Sequence, residues 1–412
     1  MKYSILGLSL MSALTAVAIA STGAIKNVDD EASLIAAFTA ANSNSGISTI
    51  TFKHNATIQL TAPVIYTGTQ PLKLVGNKTT IDGSAAGSFT LDGNLTAITS
   101  DGSLVFNTSA NIDISNLTVA NSATRGIVIN VPGDADGEDI SVNLYKVDIL
   151  NSALYGLHID DNADEFDDGT AGSAIGVDLR ITRSSFIGNG TGAIDFDGIR
   201  VDERDEGDIN ATIISSQING NGGDGLELDE AGNGGVYGTM VRVSMNGNGF
   251  YNETDLDDGF DIDEADAGGI EFSLVNVTVN DNKDEGLDFD EAGEGTAEVK
   301  LRRVSAQNNA DEAIKIDEED EGNIEITLSR VSVTGSGDDG IQFTELGEGK
   351  IEGKLIKITT SNNAKYGIKM EQWVFEDEAS PAEEAGEVEI KKVILSGNGS
   401  GDEIATNNVT LK

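Results

Sequence analysis

The chain is 412 residues long, with 70 acidic and 26 basic residues, a formal net charge of −44 and no cysteine. That charge argues against nucleic acid or an anionic membrane surface as a partner and makes cations the natural counterpart. The missing thiols exclude disulfides, a thiolate metal site and a cysteine nucleophile.

The first residues have the make-up of a secretory signal: Lys2, an apolar run from Ile5 to Ala18, and the small-residue cleavage pattern Ala18-Ile19-Ala20. Residues 1–20 are expected to be removed on export, which leaves a secreted, periplasmic or cell-surface protein starting near Ser21. No later stretch approaches the roughly 18 continuous apolar residues of a membrane span. Residues 21–125 read as an N-terminal cap and the first coils of a repeat. Glu31 to Ala41 has the composition of a short helix, which would cover an open sheet edge. Thr49-Ile50-Thr51-Phe52, Ile58-Gln59-Leu60 and Leu72-Lys73-Leu74-Val75-Gly76 read as strands.

From residue 126 to 412 a repeat becomes visible. Small residues open short apolar strands at Gly126, Gly156, Gly198, Gly225, Gly259, Gly286, Ala313, Gly340 and Gly367, and most intervals are 27 residues. The longer intervals carry insertions at 161–172 and 250–257, and a third insertion spans 373–386. Apolar residues fall one and three positions after each anchor, as in Leu226 and Leu228 or Ile314 and Ile316, which is strand alternation. Two further alternating segments per coil predict three short strands per turn of a parallel β-helix, in one continuous domain. Asn221, Asn282, Asn309 and Asn363, each four residues before an anchor, are expected to stack as a structural amide ladder.

Ala40-Ala41-Asn42, Thr49-Ile50-Thr51-Phe52 and Ile81-Asp82-Gly83, followed by these coils, resemble the opening of the pectin-lyase-like superfamily. The resemblance spans nearly the whole mature chain and implies an all-β, right-handed parallel β-helix with an N-terminal capping helix. Its motifs specify architecture rather than activity, because the superfamily includes polysaccharide lyases, glycosidases, adhesins and passenger domains.

The alignment turns scattered charges into columns. Four and five residues after the anchors stand Asp160 and Asp161, Asp202 and Glu203, Asp229 and Glu230, Asp263 and Glu264, Asp290 and Glu291, and Asp317 and Glu318. Coils lie about 4.8 Å apart, so each pair of like charges repels by about 1 kcal/mol in water. Asp224 and Glu227, Asp258 and Asp261, and Glu285 and Asp288 extend this acidic face. Oxygen-only clusters of this kind suit calcium better than zinc. The expected ligands are Asp229, Glu230, Asp261, Asp263, Glu264, Asp288, Asp290, Glu291, Asp317 and Glu318. A second column, seventeen residues after the anchors, holds Arg242, Arg303, Arg330 and Lys357, interrupted by Ser215 and Asn276. The local Val-Ser pattern adds Lys146, Arg183 and Lys392. With Trp373, the sole tryptophan, the first four are candidate contacts for an extracellular polysaccharide.

Catalysis has weaker support. His158, Arg200, Lys315 and Lys369 all stand two residues after an anchor, beside carboxylates, where a lyase would need a base. None is set apart from its column, and His158 reads as an ordinary outward strand residue. The sequence favours a non-enzymatic β-helix that binds divalent cations along an acidic face and contacts polysaccharide. A calcium-dependent polysaccharide lyase and a purely structural or adhesive rod are the alternatives.

Overall fold

The computed structural model describes residues 23–412, except 92, 94, 99–100, 162–170, 252–253, 255, 375–376 and 382–383. The signal segment and most of the insertion at 161–172 therefore lie outside the described residues, as do parts of the other two insertions.

The strands coil into one parallel β-helix. A representative turn contains Ile314–Asp320, Asn323–Ser329 and Ser332–Thr334. These are called here the first, second and third faces. First-face strands make a 13-stranded sheet, and the other two faces share a 23-stranded sheet. The latter two merge because Leu72–Asp82, Ile112–Ala120 and Ile140–Leu150 run through the bend between them. Register follows the anchors: Leu157 pairs with Ile199, Leu226 with Phe260, and Ile314 with Ile341, all parallel. The ladder therefore keeps its register across the insertions.

Residues one and three positions after each anchor fill the interior, with Phe260 in edge-to-face contact with Phe289 at 5.5 Å between ring centroids. Each buried side chain of this kind contributes about 1.5–3 kcal/mol. The anchors are small because the amide ladder lies across them. A Cβ on Gly225 would sit 2.7 Å from the side-chain nitrogen of Asn248. The ladder itself runs Asn189, Asn221, Asn248, Asn282, Asn309, with amide-to-amide bonds of 3.0–3.1 Å, and resumes at Asn363 and Asn398 at 2.9 Å.

The two ends are finished differently. The helix Glu31–Ser43 starts at a capping box between Asp30 and Ser33, and buries Leu34, Ala37, Phe38 and Ala41 over the first coil. At the other end Asp377–Pro381, within the insertion at 373–386, folds back antiparallel on Lys369–Val374 and pairs Pro381 with Trp373.

Candidate cation-binding face

The outward side of the first face carries three columns, placed one residue before and two and four residues after the anchors. Strand alternation puts the latter two on one surface, and the first, in the turn before the strand, meets them there, as Asp258 meets Asp261 and Asp288. Towards the N-terminus the surface is sealed by Tyr155, Leu154, Phe196, Ala193 and Ala97, with Phe89 against them. His158 lies beneath this cover with no exposed area, its ring centroid 4.4 Å from that of Tyr155. Its register is as expected, whereas its exposure is not: loops from other coils close over it.

His158 belongs to a chain of charges. Arg125 lies 2.6 Å from Nδ1, and since a guanidinium only donates, Nδ1 accepts; Nε2 then donates to Asp202 at 2.7 Å. Arg200 binds Asp202 and Asp229 at 2.7 and 2.8 Å and also pairs with Glu227. Burial alone would raise the Asp202 carboxyl, but Arg200 and the bond from His158 hold it below the usual range. Arg204 makes a further 2.8 Å contact with Asp229.

Four coils on from Arg200, Lys315 gathers carboxylates in the same manner. Its ammonium lies 2.7 Å from Asp288, 3.4 Å from Asp290 and 3.6 Å from Asp317. Arg200 and Lys315 occupy the same column, two residues after their anchors, and between them it holds Glu227, Asp261 and Asp288. Among the described residues no basic side chain pairs with Asp258, Asp261 or Asp263. Asp258, Asp261 and Asp288 bring carboxylate oxygens within 4.8 Å of one another, as do Glu227, Asp261 and Asp263. Asp258 is 7% exposed, and its Oδ1 is buried with no donor. Burial first, and then neighbouring carboxylates, push Asp258 and Asp261 well above the carboxylate range; Asp263 rises to about 6 and Asp224 to about 7. These groups have the character of a site short of positive charge.

The expected ligand set divides. Asp261 and Asp263 lie in this gap with Asp258 and Asp224, while Glu227 and Asp288 reach Asp261 from either side and are also paired with Arg200 and Lys315. Asp229, Asp290 and Asp317 stand beside it, engaged by Arg200, Arg204 or Lys315. Glu230, Glu264, Glu291 and Glu318 do not lie on the acidic face. Alternation carries the fifth residue after each anchor inward, and all four are at most 2% exposed. They stack in register with Glu203 before them and Glu345 after them. Asp161 stands at one end, held by Ser173 and the Arg204 amide, and Gln372 at the other, held by the Ile351 amide and the Glu384 carbonyl.

The glutamate side chains lie under the bend between the first two faces. A Cβ on Gly268 or Gly322 would collide with the glutamate carboxylate and with the carbonyl of the preceding coil's glycine. Outside this bend runs a groove of about 530 Å³ lined by Asp205, Asp266, Glu294, Glu319 and Asp320, with no basic residue. It is electrostatically unsuited to an anionic sugar.

The basic column sits at the bend between the second and third faces. Arg242, Arg303, Arg330 and Lys357 have φ of 56–60° and are exposed, as are Lys146, Arg183 and Lys392. Trp373 lies elsewhere: it is half-buried on the first face, so the structure does not bring it to the basic column.

No family model matches the chain, and no curated protein matches it. Among solved structures, it is similar to a mutant of the periplasmic alginate epimerase AlgG at 11% identity, covering 94% of this chain and 76% of that one, with a TM-score of 0.44. The catalytic domain of a GH87 α-1,3-glucanase matches at 13% identity over 94% and 67% of the two chains, with a TM-score of 0.46. The surface protein and adhesin PfbA of Streptococcus pneumoniae matches at 12% identity over 93% and 96%, with a TM-score of 0.31. The parallel β-helix of this protein is established by its own strand register, and it is the architecture that the pectin-lyase-like opening implies.

Proposed function

We propose that the protein is an exported, non-catalytic β-helix that holds divalent cations, calcium foremost, on the first face between Arg200 and Lys315. One observation carries this reading. Basic side chains collect the outward carboxylates at both limits of the stretch, and in the coils between them Asp258, Asp261 and Asp263 collect on no protein cation. A cation there would complete a pattern that the chain completes elsewhere with its own side chains. The donors are all carboxylate oxygens from adjoining coils, a set that fits the flexible coordination of calcium. Export rests on the signal-like segment from Lys2 to Ala20.

Of the four candidate bases for a lyase, His158 is sealed, and Arg200, Lys315 and Lys369 are each paired with carboxylates. The test is the melting temperature in millimolar calcium against EDTA at constant ionic strength. A rise with calcium is expected, and the double substitution Asp261→Asn and Asp263→Asn should abolish it. No rise in the unaltered protein would overturn the proposal, leaving the structural rod.

A further inference from the structure

The second bend repeats a left-handed backbone conformation in coil after coil, and asparagine or glycine adopts it most easily. Asn116 and Asn276 occupy the bend in two coils, with φ of 51° and 55°. Arg242, Arg303, Arg330 and Lys357 take the same conformation against their backbone preference. Local folding therefore does not explain the basic residues. Ion pairing does not either: among the described residues Arg303, Arg330 and Lys357 touch no carboxylate, and Arg242 reaches only the Ser215 hydroxyl, at 3.0 Å.

The third face beside this edge supplies a second, independent observation. From Gln217–Asn219 to Thr359–Ser361, the first and last residues of every third-face strand are Ser, Thr, Asn or Gln, and the middle residue is buried. They form two parallel lanes, one through Ser244, Thr278 and Ser305, the other through Asn246, Asn280 and Gln307. On the other side of the edge, the nearest acidic column, Glu271, Glu298, Glu325 and Glu352, stands five residues before the bend. A chain of net charge −44 thus keeps the strip from Gln217 to Ser361 free of carboxylates and borders it on one side with cations. Asp281 stands just past the second lane, and Asp148 stands in the first lane upstream.

We propose that this strip binds an acidic polysaccharide laid along the solenoid axis, its anionic groups on the basic edge and its hydroxyls on the polar lanes. Arg242 to Lys357 spans four coil steps, about 19 Å at the usual strand spacing. Guanidinium forks suit carboxylate or sulfate groups, and flat rows of hydroxyl and amide groups suit sugar hydroxyls. A nucleic acid is the poorer fit, because its dense phosphates would meet the repulsion of the whole chain. The inference does not depend on the cation site, which lies on another face.

The test is affinity electrophoresis of the full chain in EDTA, through gels containing polygalacturonate, neutral dextran or duplex DNA. EDTA removes any cation bridge from polymer to the acidic face. Retardation by polygalacturonate, weakened by salt and absent with dextran, is expected. The variant with Arg242, Arg303, Arg330 and Lys357 all changed to Asn should bind at least about tenfold more weakly. Asn suits the bend, so its melting temperature should be unchanged or higher, which separates lost binding from lost fold. Equal retardation of the variant, retardation by DNA alone, or none by polygalacturonate would each overturn the proposal.

Discussion

Glu264 stacks on Glu291 of the next coil, in parallel register, with both carboxyls inside the solenoid and, among the described residues, no amide, hydroxyl or basic group donating to any of the four oxygens. Carboxyls so placed cannot all be ionised. Glu264 meets Glu230 on its other side, and Glu318 meets Glu291, so each can donate a proton to a neighbour that accepts it.

This ladder makes stability pH-dependent. Burial, followed by the adjoining carboxylates, raises Glu203 to about 11, Glu264 to about 10 and Glu318 to about 9; burial raises Glu230 and Glu345 to about 7. Groups whose folded pKa is raised contribute fully below the unfolded value, about 4.5, and lose that contribution as pH climbs through the folded values. In EDTA, the melting temperature should fall between pH 5 and pH 10. Glu264→Gln, which copies the amide at Gln372, should flatten the fall; a profile that rises over this range would refute the account.

The gap between Arg200 and Lys315 predicts the effect of filling it. Asp261→Lys puts an ammonium in the column that Arg200 and Lys315 share, among Asp258, Asp263 and Asp288. It should stabilise the metal-free protein by about 1.5–3 kcal/mol, the range for hydrogen bonds to charged groups, and remove the response to calcium. Urea unfolding with and without calcium reads both effects.

The amide ladder should be costly to interrupt. Asn282 donates to Asn309 and accepts from Asn248, each at 3.1 Å, and it is 1% exposed. Asn282→Ala would leave the buried Asn248 main-chain N–H without its acceptor and take one bond from each neighbouring side chain, a loss of about 2–3 kcal/mol. Denaturant midpoints would show it, and a loss under about 0.5 kcal/mol would mean that the coils relax around the gap.

How much was legible depended on what each residue had to meet. The anchors predicted the register because spacing and parity are properties of a single chain. Asn221, Asn282, Asn309 and Asn363 were readable for the same reason, while Asn248 was hidden by the insertion at 250–257 between it and Gly259. The glutamates carried the signal of their true direction in their parity with Leu228 or Ile262, yet charge suggested the outer face. Alternation outranked charge because the glycine bend leaves room for a carboxyl beneath it.

By itself, the sequence determined the coil, its 27-residue length, the alignment of its columns and the sites of its insertions, because a strand repeat is written in the spacing of apolar and small residues. Only the tertiary structure decided which carboxylates share a face, that His158 is sealed, that Trp373 lies apart from the basic edge, and that the edge borders a neutral face. Burial and pairing are set by the coils above and below and by the loops that fold over them. Those neighbours lie 27 to 44 residues away in the chain but within hydrogen-bond reach in space, as His158 and Asp202 show.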